Sequence, residues 1–182
     1  MSPALERSTL QLSIRRSHGR VINSVADLLR RTLTVPEIYL EPKITGIQRT
    51  DVVAVDRAGS GDVHGVEIKI LTIFPTRSWL RTLTSELKAL PFHFKYLAMP
   101  SFGEKTEELA RLVEYPELFD PSGIGRIGII SFDHQILEPT AVLDSSSATL
   151  TVRPERFRVS SANILPVEKF IAKTKPDISV RI

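Results

Sequence analysis

Three residues combine types and spacing that could do chemistry together: Asp51, Glu67 and Lys69. Glu67 and Lys69 are two apart, so in extended chain they share a face. Asp51 opens the run 51–57 (DVVAVDR), and the pair lies near the end of 63–71 (VHGVEIKIL). Between them stands turn chemistry, Ala58-Gly59-Ser60-Gly61-Asp62. Two β-branched runs around a glycine turn predict a β-hairpin. A turn centred on Ser60 sets Asp51 opposite Lys69, with Glu67 diagonal. A turn centred on Gly59 sets Asp51 opposite Glu67. In both registers the three side chains converge at the hairpin's open end, with cross-strand Cβ atoms about 5 Å apart and diagonal ones about 7–8 Å. Val66, Ile68 and Ile70 form the opposite, core face. Charges inside such an apolar run need a partner or a purpose, because burying unpaired charge is costly.

Two carboxylates plus water suit Mg²⁺, with Mn²⁺ as a substitute. Such a cation polarises a phosphodiester and lowers the pKa of its water. A neighbouring lysine stabilises developing negative charge or orients the attacking water. Taken alone, Glu-x-Lys is also an ordinary ion pair on a half-exposed strand, with Asp51 a cap at the strand entry. Asp56 is a rival first carboxylate. Five residues from Asp51, at about 3.3 Å each, it lies some 16 Å from the Glu67–Lys69 end and is set aside. Glu41 is the candidate for a further carboxylate, against a solvated surface glutamate. The preceding helix offers only Asp27 for that role, and the first strand offers Glu37 besides.

These residues need elements to position them. The spacing of Val21, Ile22, Val25, Leu28, Leu29 and Leu33 predicts a helix over His18–Leu33, broken by Pro36. Glu37–Ile44 is expected as a strand, with Pro42 marking an edge or an early end. After the hairpin, Thr76–Leu90 has helical periodicity at Trp79, Leu80, Leu83, Leu87 and Leu90, with Trp79 taken as core. Phe92–Met99 and Gly125–Phe132 are strands, Glu104–Glu114 an acidic helix, Gln135–Leu143 a candidate strand, and Ser161–Lys173 a short helix. A hairpin followed by alternating helix and strand implies an α/β protein with a mixed central sheet and flanking helices. Residues 1–143 are assigned to this domain and 144–182 to a C-terminal extension packed on it.

The run 48–70 (QRTDVVAVDRAGSGDVHGVEIKI) resembles the core of the PD-(D/E)xK nuclease superfamily, the restriction-endonuclease-like fold. Its core order is helix, three strands, helix, strand, and residues 18–100 follow it, a little under half the chain. Val66–Pro100 is also weakly similar to MmcB-type bacterial DNA-repair proteins. Thr50 stands where the motif's name has proline. The resemblance implies a metal-dependent DNA endonuclease of repair, restriction or mobile-element processing. It places Asp51, Glu67 and Ile68 at the metal, and Asp51, Glu67 and Lys69 in catalysis. Apart from the resemblance, Arg77, Arg81 and Lys88 on the helix that follows form either a set of phosphate-backbone contacts or an ordinary solvated face, and Arg77 and Arg81 share a side of it. RNA stays open as a substrate. A homodimer is expected if both strands of a duplex are cut. A catalytically inactive relative, used for DNA binding or as a scaffold, is the competing expectation.

Composition sets the outer bounds. The 182 residues are 42% hydrophobic and 25% charged, so the chain folds rather than staying disordered. It has no cysteine, which excludes a thiol nucleophile, disulfides and Cys-ligated metal centres. It has no run of 18 apolar residues and no apolar block near the N-terminus, so no membrane partner and a cytoplasmic location are expected. The net charge of +3 is uneven. Both ends are basic and residues 101–150 carry three basic and nine acidic side chains, a layout read first as ordinary solvated faces and second as a local attraction for nucleic acid. Arg153, Arg156 and Arg158 form a basic cluster in the tail. The four histidines show no metal-ligand spacing, and His64 is assigned to the core face. Gly123-Ile-Gly125-Arg-Ile-Gly128 matches GxGxxG but leads into a strand, so it is no dinucleotide site.

Overall fold

The computed structural model describes residues 3–47, 50–58, 60–105, 127–133 and 147–178, with side chains from Ser17 onward except that of Arg77. Helix α1 (Pro3–Thr32) leads into β1 (Pro36–Leu40), β2 (Val52–Asp56) and β3 (Val63–Ile68). Helix α2 (Arg77–Ala89) and β4 (Phe94–Pro100) follow, then β5 (Gly128–Phe132), β6 (Ala148–Val152) and α3 (Ser161–Lys173). The six strands form one sheet in the order β1-β2-β3-β4-β5-β6. β1, β2 and β3 pair antiparallel, β3, β4 and β5 parallel, and β6 antiparallel on β5. This is the mixed sheet with flanking helices, in the helix, three strands, helix, strand order expected above.

Side-chain alternation assigns the two faces. Even-numbered residues of the inner strands (Val52, Ala54, Val66, Ile68, Tyr96, Ala98, Ile130) meet the α1 stripe Val21, Ile22, Val25, Ala26, Leu28 and Leu29. Odd-numbered residues face two other clusters. Leu80, Leu83 and Leu87 of α2 cover Leu97, Met99 and Ile129, while Ile164, Val167 and Ile171 of α3 cover Val53, Val55 and Val63. A strand's period of two thus gives each strand one face for α1 and another for α2 or α3.

Several boundaries differ from expectation for physical reasons. α1 begins fifteen residues before His18, in sequence without a comparable apolar stripe. β1 stops at Leu40 because Glu41 takes φ 45°, and it is an edge strand, as Pro42 suggested. β3 ends at Ile68, short of Leu71. Trp79 is 36% exposed rather than core, because it lies off the Leu80–Leu83–Leu87 stripe of α2. Ala148–Val152 pairs as a sixth strand, although Ser145-Ser146-Ser147 reads as a connector. Glu104–Glu114, beyond its first two residues, and Gln135–Leu143 lie outside the described residues.

Two contacts make β3 intolerant of change. A Cβ on Gly65 would sit 2.1 Å from Phe92 Cδ2, and Phe92 is fully buried, so only glycine lets this ring cross the strand. His64 stacks on Phe94 at 4.6 Å and pairs with the Tyr96 hydroxyl at 3.0 Å. Near the turn, buried Asp62 accepts from Arg156 at 2.8 and 3.0 Å and from Ser60, which ties the tail to the hairpin. Burial opposes the Asp62 charge, but those bonds outweigh it and its pKa falls. His93 Nδ1 accepts from the Val63 N–H at 2.9 Å, so its 3.6 Å approach to Asp62 is no ion pair.

Burial pulls the His64 imidazole down from 6.5 to about 4, against the charges of Asp56 and Asp62. The unfolded chain takes up this proton near pH 6.5 and the folded chain only near pH 4, so stability falls as pH drops through that window. The loss is on the order of 3 kcal/mol. His64→Phe, which keeps the stack, is expected to flatten urea-derived stability between these pH values. Parallel curves for the two proteins would contradict this.

Candidate metal centre

The site forms where three strands end together. The β2–β3 register pairs Val52 with Val66, the Gly59-centred alternative. Continued by one position it sets Asp51 beside Glu67. The β1–β2 register pairs Leu40 with Val52, and the Glu41 N–H donates to the Asp51 carbonyl at 2.7 Å, so Glu41 stands beside Asp51. Glu41, Asp51 and Glu67 therefore lie in a row across neighbouring strands, about 4.8 Å apart per strand. The row sits at the carboxyl end of β3, beside parallel β4, where open α/β sheets place their ligands.

Each member is held differently. Asp51 is buried, and its Oδ2 accepts from the Ile68 N–H at 2.7 Å. The ladder of β2 and β3 ends one pair earlier, and the carboxylate takes the N–H that follows. Ile68 itself is 4% exposed and packs on the α1 side. Lys69 N–H donates to the Ala98 carbonyl at 2.8 Å, extending the pairing with β4. Lys69 Nζ donates to Glu67 Oε1 at 2.8 Å. Glu67 is half-buried, and burial is the largest influence on it, pushing its carboxyl above the usual range. The Asp51 charge adds to this, while Lys69 and His18 pull the other way.

A fourth group comes from α1. His18 Nε2 lies 3.3 Å from Asp51 Oδ1, and His18, Glu41 and Asp51 bring one ligand atom each within 4.8 Å of one another. Histidine spacing along the chain gave no hint of this. The usable signal was that His18 sits one turn before Val21 and Ile22 on the stripe that packs on the sheet. The donor set fits a divalent cation. Neighbouring ligands of an octahedral ion are about 3.0 Å apart at bond lengths near 2.1 Å, close to the His18–Asp51 separation. Carboxylates held close in a buried setting, against their mutual repulsion, are what such a cation stabilises.

The remaining candidates lie elsewhere. Asp27 pairs with Arg30, which also binds Asp177. Glu37 bonds to Arg57 and Tyr39. Asp56 is at the far end of β2, opposite Pro36. On α2, Arg81 is exposed and Lys88 half-buried, its carbonyl accepting from Lys95 Nζ at 2.5 Å. The Arg77 side chain lies outside the described residues. Arg156 is engaged with Asp62, away from this row.

No protein-family model matches the chain, and no curated protein matches it. Among solved structures, it is similar to a protein of unknown function from Silicibacter pomeroyi, at 14% identity and a TM-score of 0.45 over 82% of this chain and 80% of that one. It is also similar to an XisH family protein from Nostoc punctiforme PCC 73102, at 16% identity and a TM-score of 0.39 over 64% of this chain and 92% of that one. No helix of the described residues is long and apolar enough to cross a membrane.

The Asp51–Ile68 bond separates two substitutions. Asp51→Asn keeps an oxygen acceptor and is expected to unfold within about 1 kcal/mol of the parent, whereas Asp51→Ala strands a buried N–H and loses about 1–3 kcal/mol. Denaturant unfolding of both decides. Equal losses would show that the bond does not hold the strand end.

Proposed function

We propose that the chain is a metal-dependent DNA endonuclease that hydrolyses phosphodiester bonds, acting in repair, restriction or mobile-element processing. One observation carries this reading. An anchored, buried carboxylate, Asp51, stands in register with a raised carboxyl, Glu67, and the lysine paired to it, Lys69, at the end of a restriction-endonuclease-like sheet. Asp51 with Glu41 and His18 would hold the cation, with Glu67 beside them and the Ile68 backbone between Glu67 and Lys69. When bound, the cation supplies positive charge that polarises the phosphodiester and makes water more acidic.

The chain's own groups do the rest. The Ile68 N–H keeps Asp51 Oδ2 turned to the strand, so Oδ1 faces the cluster. Glu67 holds the Lys69 ammonium next to the carboxylate row, where it would meet the negative charge that develops on a phosphate oxygen. Lys69 is also fixed through its backbone to β4, so its position does not depend on the side-chain pair alone. Arg81 and Lys88 on α2 supply cationic positions for the DNA backbone, which orients a duplex or single strand without reading its sequence.

The test is cleavage of supercoiled plasmid and of a single-stranded oligonucleotide with Mg²⁺, with Mn²⁺ and with EDTA. Metal-dependent cutting is expected, falling by roughly 100-fold or more in Lys69→Ala, the scale for removing one charge-stabilising group. Cutting that persists in Lys69→Ala would overturn the assignment. DNA binding without cutting, unchanged in Asp51→Asn, would instead mark a nuclease fold used for binding or as a scaffold.

A further inference from the structure

We propose that His18 is a nitrogen ligand of this centre and that it makes the site select Mn²⁺ over Mg²⁺. The inference rests on the reading of the carboxylate row as a metal centre and adds the identity of the ion.

Four features place His18 in that role. First, its Nε2 is 3.3 Å from Asp51 Oδ1, an ion-pair distance that also matches the roughly 3.0 Å between neighbouring ligands of one octahedral ion. Second, Asp51 cannot swing away to relax the contact, because Oδ2 is tied to the Ile68 N–H at 2.7 Å. Third, Glu41 is fixed from both sides. Its N–H is bonded to the Asp51 carbonyl, and buried Pro42 follows it at the φ 45° bend. Fourth, His18 is carried by a helix whose next turns, from Val21 to Leu29, are packed on the sheet. The ring is therefore positioned by the core rather than by a mobile loop.

The chemistry follows from the donor types. Mg²⁺ is a hard ion that takes oxygen ligands and keeps its waters. Imidazole nitrogen favours first-row transition ions over Mg²⁺, Mn²⁺ the least among them, while oxygen donors serve Mg²⁺ and Mn²⁺ alike. A site of Asp51 and Glu41 oxygens alone would serve Mg²⁺. Adding His18 gains affinity for Mn²⁺ and little for Mg²⁺.

The experiment uses the full chain and the metal ions alone. Calorimetric titration with MnCl₂ and MgCl₂ compares the parent with His18→Gln, which offers an oxygen in place of the nitrogen. The parent should bind Mn²⁺ about tenfold or more tightly than Mg²⁺, and His18→Gln should lose about tenfold for Mn²⁺ while Mg²⁺ stays within about twofold. Pulsed electron paramagnetic resonance of the Mn²⁺-loaded parent should show coupling to a directly bound imidazole nitrogen, and this reading stands even if the variant fails to fold. Absence of that coupling, an unchanged Mn²⁺-to-Mg²⁺ ratio in folded His18→Gln, or no binding of either ion would overturn the proposal. The two readings fail separately. A parent that shows nitrogen coupling but cuts no DNA loses the nuclease function and keeps the ligand. One that cuts DNA without the coupling loses only the ligand.

Discussion

The candidate centre hangs from one hydrogen bond, that of the Ile68 N–H to Asp51 Oδ2. It does two jobs. It occupies a buried backbone donor where the β2–β3 ladder ends, and it locks the carboxylate so that its other oxygen faces His18. Leaving such a donor unpaired costs about 1–3 kcal/mol, which is a sizeable share of a domain's net stability. The strand end and the site are therefore stabilised by the same contact. A substitution that removes the carboxylate damages both, and one that keeps an acceptor damages only the site.

The surrounding packing exists to keep that bond in place. The α1 stripe presses on Val52, Val66 and Ile68, the residues bracketing Asp51 and Glu67. Phe92 fills the space over Gly65, so β3 and the chain entering β4 cannot slide past one another. Lys69 continues the pairing to Ala98, which carries the β3–β4 alignment to the edge of the site. Against these constraints works the cost of crowding acidic groups, visible in the carboxyl of Glu67, which burial raises first and the Asp51 charge raises further. The fold holds acidic groups closer than they would choose in water, with Lys69 and His18 as the neighbouring relief.

Much of this was legible in the sequence because its signals are local. Two β-branched apolar runs at 52–55 and 63–68, with a glycine turn between, dictate a hairpin, and period two alone puts Glu67 and Lys69 on one side. The choice between the two registers was open, because the turn can centre on Gly59 or Ser60 without changing the pattern. Glu41 could be named as a candidate, but its place beside Asp51 depends on the left-handed bend that ends β1. His18 was missed because the distance that matters runs from a helix across to a strand end, 33 positions along the chain, and no spacing rule spans it. Trp79 was misplaced because a large apolar residue next to a stripe reads as part of it. The sixth strand was missed because an edge strand with only its end residues Ala148 and Val152 buried carries little apolar signal.

The most direct measurement of the central claim is a crystal soaked in MnCl₂, with an anomalous difference map collected above the manganese edge. A peak within coordination distance of Asp51 Oδ1, with Glu41 and His18 on the same ion, is the predicted result. A well-ordered crystal in which the carboxylate row stays without a peak, or in which manganese binds elsewhere and Asp51 keeps only its contacts with Ile68, His18 and Glu41, would contradict it.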